Sequence, residues 1–409
     1  MTEFPHPFPL CLGAHGEAAR LRRRYRRVIW DELRGRVGTA RAAAAVARAP
    51  IDAARQALGA VRRLGRAVRE AHGVGVSRQF AGLWWATTWH GIGPEFYYRH
   101  QLYYPDRRRQ AATFLQPHET SALRKRLLDL PGLREASWTI GNKRRFAAWC
   151  AEHGLPALEN LMVFENGEVV HGTPDGSGLP PADLFSKRIS GHGGNGAACW
   201  RFADGRYGHT ERRYTPAELV AELTARSASR SILLQRCATN HPTLAPFGRN
   251  ALTTLRVVTC RPPDGPPSFV LAAYRLTLGD GVVDNYSAGG AACFVDPATG
   301  ELGPALRQDP AGPMRRYARH PLSGAPIEGT RIPHWPEIVP LALRAHGLLG
   351  TLATVGWDVA VTPDGPLIVE GNWNDSPRVP QLTSGRGLGE TVYARCLNEW
   401  MRLVERRGR

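Results

Sequence analysis

Apolar positions in the first seventy residues recur at helical spacing, as in Val61, Leu64 and Val68, and predict helices interrupted near Gly35–Gly38 and at Pro50. Between Gly141 and Leu158 the pattern predicts a helix from Lys143 to about Glu152, with Phe146, Ala147 and Cys150 on one face and Gly154 and Pro156 ending it. Alternation then takes over. Leu161–Gly172 reads as a hairpin turning at Asn166–Gly167, and DLFSKRISGHGGNGAACWRF as a strand, a glycine-rich loop and a second strand. Thr215 and Pro216 open a helix through Ser227 that leads into the strand SILLQRC. Strands dominate thereafter, in ALTTLRVVTC, SFVLAAYRLTL, VVDNYSAGG, AACFVDPATG, VGWDVAV and PLIVEGNWN. A helix from about Trp335 to Leu349 interrupts them, and one from Gly387 to Arg407 closes the chain. The sum is an α+β protein with two mixed sheets and no internal repeat.

Composition narrows the class. With 409 residues, 43% hydrophobic and 22% charged, the chain is long enough for two to three domains with their own cores. It contains no run of eighteen apolar residues. The opening residues lack a basic segment ahead of an apolar one, so no secretory leader and a cytoplasmic location are expected. Seven scattered cysteines without a CxxC pair indicate neither a disulfide framework nor a zinc site. The aromatic stretches LWWATTWHGIG and EFYYRHQLYYP favour packing over a recognition surface.

The net charge of +17 is uneven: Gly16–His72 holds fifteen arginines against five acids. Such helices form a solvated face, or suit peripheral contact with an anionic membrane or an acidic partner. No zinc-finger, RNP or helix-turn-helix pattern accompanies the charge, so no nucleic acid is expected. Lysine occurs only at Lys125, Lys143 and Lys187, every other basic residue being arginine. Lys125 lies in a helix-like surface segment. Lys143 and Lys187 are better placed for phosphate contact, where a slim ammonium reaches an oxygen that a planar guanidinium does not fit.

The candidate chemistry centres on the hairpin around Thr362–Pro366. If its loop is odd in length and centred on Asp364, Asp358 faces Glu370 across the strands and Asn372 shares their face. Two carboxylates and an amide on one sheet face make a hard-oxygen site suited to Mg²⁺, whose cation would offset the cost of burying both acids. The loop Ser190, Gly191, His192, Gly193, Gly194, Asn195 and Gly196 can lay backbone N–H groups against phosphates. His171 and His192 read as local hydrogen-bonding groups. No GxSxG or HExxH motif supports a hydrolase.

The ordered parts NK…GLPAL, SK with a glycine loop, a hinge strand and a hairpin ending EGNWN resemble the ATP-grasp superfamily. Within it, TLRVVT, VVDNYSAGG, HPLSGAP and GWDVAVTPDGPLIVEGNWN resemble the sugar-transfer-associated branch, related to the α-L-glutamate ligase-like proteins, over roughly 137–377. The resemblance implies that Lys143 and Lys187 contact ATP phosphates, that the loop from Ser190 to Gly196 closes over them, and that Leu234, Gln235, Arg236 and Cys237 form the adenine hinge. Arg236 stands where relatives often carry an acid. It further implies that Arg256 faces the transferred phosphoryl group, that Asn285 lies near the phosphates, and that Asp358, Glu370 and Asn372 hold Mg²⁺.

The organisation expected is an arginine-rich helical region (1–75), an aromatic-rich α/β region (76–160), a subdomain with Lys187 and the glycine loop (161–230), and one with the metal hairpin (231–409). The expected activity is ATP- and Mg²⁺-dependent ligation of a carboxylate to an amine through an acyl phosphate, with an amino acid, peptide or sugar-linked metabolite as substrate. The alternatives are a kinase acting on a sugar or other hydroxyl, and a nucleotide-binding partner protein without turnover.

Overall fold

The computed structural model describes residues 7–11, 15–190, 196–279, 284, 286, 289–309 and 312–407. Its N-terminal third is helical: α1 (Gly16–Val37), α2 (Thr39–His72), α3 (Val76–His90), α4 (Pro94–Arg99), α5 (Pro105–Arg109), α6 (Pro117–Leu127), α7 (Leu133–Gly141) and α8 (Lys143–Glu152). The break between α1 and α2 falls at Gly38, whose φ of 84° favours glycine. Pro50, by contrast, does not interrupt α2. The proline removes one N–H from the ladder, but Ala45, Ala53, Ala57 and Ala60 bury the helix face before and after it. The second aromatic stretch packs as expected, Phe96, Tyr97, Tyr98 and Tyr103 burying with Phe114 in a cluster with Ala57, Ala60 and Val61 of α2, whereas Trp84 and Trp85 of the first stretch are exposed.

The first sheet contains β1 (Met162–Glu165), β2 (Glu168–His171), β3 (Leu184–Arg188), β4 (Ala198–Ala203), β5 (Arg206–His209), β6 (Arg212–Tyr214) and, after α9 (Pro216–Ser227), β7 (Ile232–Arg236). Its order is β2-β1-β7-β3-β4-β5-β6. Thus β7 hydrogen-bonds between β1 and β3, so a division after residue 230 would separate it from its own sheet. Asn166 and Gly167 both have positive φ, as the two-residue turn between β1 and β2 requires. Thr215 and Glu218 complete a capping box at the start of α9, whose Leu219, Val220 and Leu223 pack on Phe164, Trp200 and Leu234.

The short α10 (Ala245–Gly248) precedes the second sheet: β8 (Thr254–Cys260), β9 (Ser268–Leu276), β10 (Ala291–Phe294), β11 (Ala305–Arg307), β12 (Arg315–Tyr317), then α11 (Trp335–Leu349), β13 (Thr354–Thr362) and β14 (Gly365–Asn372). Two helices end the chain, α12 (Arg378–Ser384) and α13 (Val392–Arg407). The last begins five residues later than its pattern predicts. Strand order is β12-β11-β10-β9-β8-β13-β14. Every ladder in both sheets is antiparallel, so the expected mixed sheets are not formed. Of VVDNYSAGG, Asp284, Tyr286, Gly289 and Gly290 are described and none is in a strand.

One face of the second sheet presents Leu255, Val257, Val355, Trp357 and Val359 to α11 and α8, making the largest core. The other face is divided along the strands. Val258, Cys260 and Leu271 pack under α6 and α13, whereas the opposite end of β8 and β13 turns charged residues toward the first sheet.

Candidate active site

The register places a charged row across three strands. Asp358 on β13 is opposite Arg256 on β8 and opposite Glu370 on β14, and Asn372 shares the face of Glu370. The route differs from an odd-length loop. Thr362 pairs with Gly365 around a two-residue turn, and a bulge at Val369 supplies the extra residue that brings Glu370 opposite Asp358.

Asp358 is nearly inaccessible at 3% exposure, and its oxygens are committed. Arg256 grips it with Nε to Oδ1 at 2.7 Å and Nη2 to Oδ2 at 3.2 Å, while Arg275 Nη2 lies 3.0 Å from Oδ2. Burial alone would raise its pKa, but the guanidinium groups of Arg256 and Arg275 outweigh burial and hold it well below the carboxylate range. Arg256 is steadied from behind, its Nη1 donating to the Asp375 carbonyl at 3.0 Å. Glu370 is more open. Lys143 Nζ stands 3.8 Å from Glu370 Oε2, and Asn372 Nδ2 donates to Glu370 Oε1 at 3.2 Å.

Lys187 approaches the row from β3 of the other sheet, where Glu370, Lys143 and Asp358 all influence its titration. Burial in the cavity wall is the main cause of its pKa falling to about 8, Lys143 adding to the fall and the two acids opposing it. A cavity of about 850 Å³ lies between the sheets, with Lys143, Lys187, Arg256, Arg275, Asp358 and Glu370 among its lining and Gln235, Arg236 and Cys237 at the C-terminal end of β7. Leu234 lies elsewhere. Strand alternation sends its side chain under α9, and its carbonyl accepts from Leu161 N at 2.9 Å. Gln235 turns its amide nitrogen to Asn160 Oδ1 at 2.9 Å, and Cys237 Sγ sits 3.7 Å from Cys199 Sγ.

Ser190 is exposed at the end of β3 and Gly196 takes a left-handed φ of 77°. Gly191, His192, Gly193, Gly194, Asn195 and Asn285 lie outside the described residues. His171 is exposed on β2. Among the described residues there is no group of three or more His, Cys, Asp or Glu side chains able to hold a metal. The hairpin offers two carboxylates and an amide instead.

The profile of sugar-transfer associated ATP-grasp proteins matches residues 124–395, a span that begins in α6 and includes both sheets. The chain belongs to that family. No curated protein matches it. Among solved structures it is similar to an ADP complex of N5-carboxyaminoimidazole ribonucleotide synthetase, at 12% identity and a TM-score of 0.34 over 57% of this chain and 44% of that one. It is also similar to D-alanyl-alanine synthetase A from Vibrio cholerae (12%, 0.39, 64% and 67%) and to an L-amino acid ligase from Bacillus licheniformis (13%, 0.35, 69% and 53%). The chain thus spans less than half the length of the synthetase and about half of the L-amino acid ligase.

This ATP-grasp chain carries two further site residues that motif reading passed over, Arg275 and Asp284. Arg275 on β9 lies opposite Thr254, donates to Thr254 Oγ1 from Nε at 3.0 Å, and stands 3.5 Å from Asp284 Oδ2. Asp284 accepts from the Thr254 backbone at 2.8 Å and hydroxyl at 2.6 Å. Burial raises the pKa of Asp284, partly countered by Arg275. The available signal was a lone charge in the apolar strand SFVLAAYRL.

Proposed function

We propose that the protein is an ATP- and Mg²⁺-dependent ligase that joins a carboxylate to an amine through an acyl phosphate. One observation carries the reading: Lys143 from the start of α8, Lys187 from the first sheet and Arg256 and Arg275 from the second converge on Glu370 and Asp358 in a single cavity. That density of cations suits a triphosphate. The family's name points to ATP, and the C-terminal end of β7 at Gln235–Cys237 is the side of the cavity suited to the base.

The donor set fits Mg²⁺ with one adjustment. Glu370 and Asn372 bring hard oxygens to the cavity and are the residues that would hold it, whereas Asp358 is taken by two guanidinium groups. When bound, the ion neutralises charge on the phosphates as the γ-group leaves.

The protein's own residues supply the rest. Lys143 and Lys187 bind triphosphate oxygens, and binding an anion returns Lys187 fully to its ammonium form. Arg256 is locked by three hydrogen bonds to Asp358 and Asp375, which orients its remaining N–H donors before the reaction begins. A substrate carboxylate oxygen attacks the γ-phosphorus, the bond to the bridging oxygen breaks, and ADP leaves. The amine then attacks the acyl carbon and loses a proton as inorganic phosphate departs. Enclosure between the sheets limits the competing attack by water. The decisive experiment is ATP-dependent phosphate release across carboxylate and amine pairs, with mass spectrometry of the product. A condensed product with ADP and phosphate supports the ligase, whereas a phosphorylated product or no turnover by any pair overturns it.

A further inference from the structure

Away from the cavity, α2 carries a surface line that the ligase reading does not use. Arg48, Ile51, Arg55, Leu58 and Arg62 follow one another at steps of three and four residues, which aligns them along one side of the helix. All five are exposed, Ile51 to 55% and Leu58 to 43%. The opposite side, with Ala53, Ala57, Ala60, Val61 and Val68, is the one that packs inward.

Helix α3 extends the apolar part of this surface. Val76 and Trp84, two turns apart, are 38% and 42% exposed. Both lie at the seam with α2: a methyl group on Gly65 would stand 3.7 Å from Val76 Cγ2, and Trp84 Nε1 donates to the Pro50 carbonyl at 3.0 Å. Trp85 beside it is 38% exposed. Large apolar side chains therefore stand in water along two adjoining helices.

Charge decides what covers them. Helix α2 has seven arginines and only two acids, and both acids are already engaged, Asp52 with Arg55 at 3.3 Å and Glu70 with Arg66 at 2.8 Å. The arginines alternate with the apolar residues along the line. A protein interface instead sets an apolar centre inside a polar rim. A lipid surface matches the alternation, because arginine stems lie along the apolar layer with their heads on phosphates, and indoles settle at that boundary. No helix among the described residues is long and apolar enough to cross a membrane, so the contact lies in the plane of the surface.

We propose that the α2–α3 face docks this protein on an anionic lipid bilayer, with Ile51, Leu58 and Trp84 entering the headgroup layer and Arg48, Arg55 and Arg62 on the phosphates. The proposal is independent of the ligase reading.

The test is co-sedimentation of the full chain with vesicles of phosphatidylcholine alone or with phosphatidylserine added. Wild type is compared with Ile51→Ser/Leu58→Ser and with Arg48→Gln/Arg55→Gln/Arg62→Gln, after circular dichroism shows equal melting. The expectation is binding to the anionic vesicles, weakened at least about tenfold by either variant and by salt near 0.5 M. Quenching of tryptophan emission by brominated lipid should accompany it and fall in Trp84→Phe. Binding unaffected by the serine variant would overturn the proposal, because apolar insertion would then play no part. So would failure to bind any vesicle, whether or not polyglutamate binds in its place as an acidic protein would.

Discussion

The second sheet and helix α2 both draw on arginine, and they use it in opposite ways. On the sheet, Arg256 and Arg275 are half-buried and held by Asp358, Asp284 and Thr254. Behind them Arg124 is buried against Asp375, with Tyr393 Oη at 2.7 Å and Asn374 Oδ1 at 2.6 Å. On α2 the same residue type stands in solvent, as in Arg55 at 77% and Arg66 at 84% side-chain exposure. Net charge counts these groups alike. Energetically they differ, because a buried guanidinium without its carboxylate leaves an unpaired charge, whereas an exposed one is solvated with or without a partner.

The sharpest way to break this contrast is Arg124→Met. It strands the fully buried Asp375 and should cost about 3–5 kcal/mol of stability in urea unfolding. A loss below about 1 kcal/mol would show that the buried network is not structural. Next comes Lys187→Ala, expected to lower turnover by about 10²–10³ with the melting temperature retained. A loss no larger than severalfold would remove Lys187 from the phosphate site.

The pH dependence of nucleotide affinity should be smaller. With its pKa drawn down by burial to about 8, Lys187 is an ammonium below that pH and neutral above it. An anion binds the ammonium, so affinity measured by calorimetry should be level up to about pH 8 and then fall by as much as about tenfold per pH unit. Lys187→Arg should remove the decline. The smallest effect belongs to Arg55→Met on α2, where stability should change by less than about 0.5 kcal/mol. A larger loss would mean that its pair with Asp52 holds α2 in place.

Much of the fold was legible because local signals and tertiary packing agreed. The helix from Lys143 to Glu152 and the helix from Trp335 to Leu349 have the bounds their patterns predict, and the Asn166–Gly167 turn and the Thr215 cap are where expected. Pro50 was misread because its lost hydrogen bond is local, whereas the alanine face that keeps α2 continuous acts through α1 and α3. At the site, Asp358, Glu370 and Asn372 were readable as one face. That Arg256 and Arg275 occupy Asp358 was not, since those contacts span 102 and 83 positions of chain and no spacing rule reaches that far.

Val369 gives the hairpin an adjustable length. The turn at Pro363–Asp364 is the shortest kind, so without a correction the residue opposite Asp358 would be valine, and the site would lose its second acid to a neighbouring position. Deleting Val369, or any one residue between Pro366 and Val369, leaves the count that a regular ladder needs, and should therefore keep Asp358 and Glu370 opposite each other while removing the local bend; deleting two should put them out of step. The hairpin thus tolerates the loss of one residue on this stretch of β14 but not of two, a tolerance that separates the pairing of the two carboxylates from the angle at which Glu370 enters the cavity.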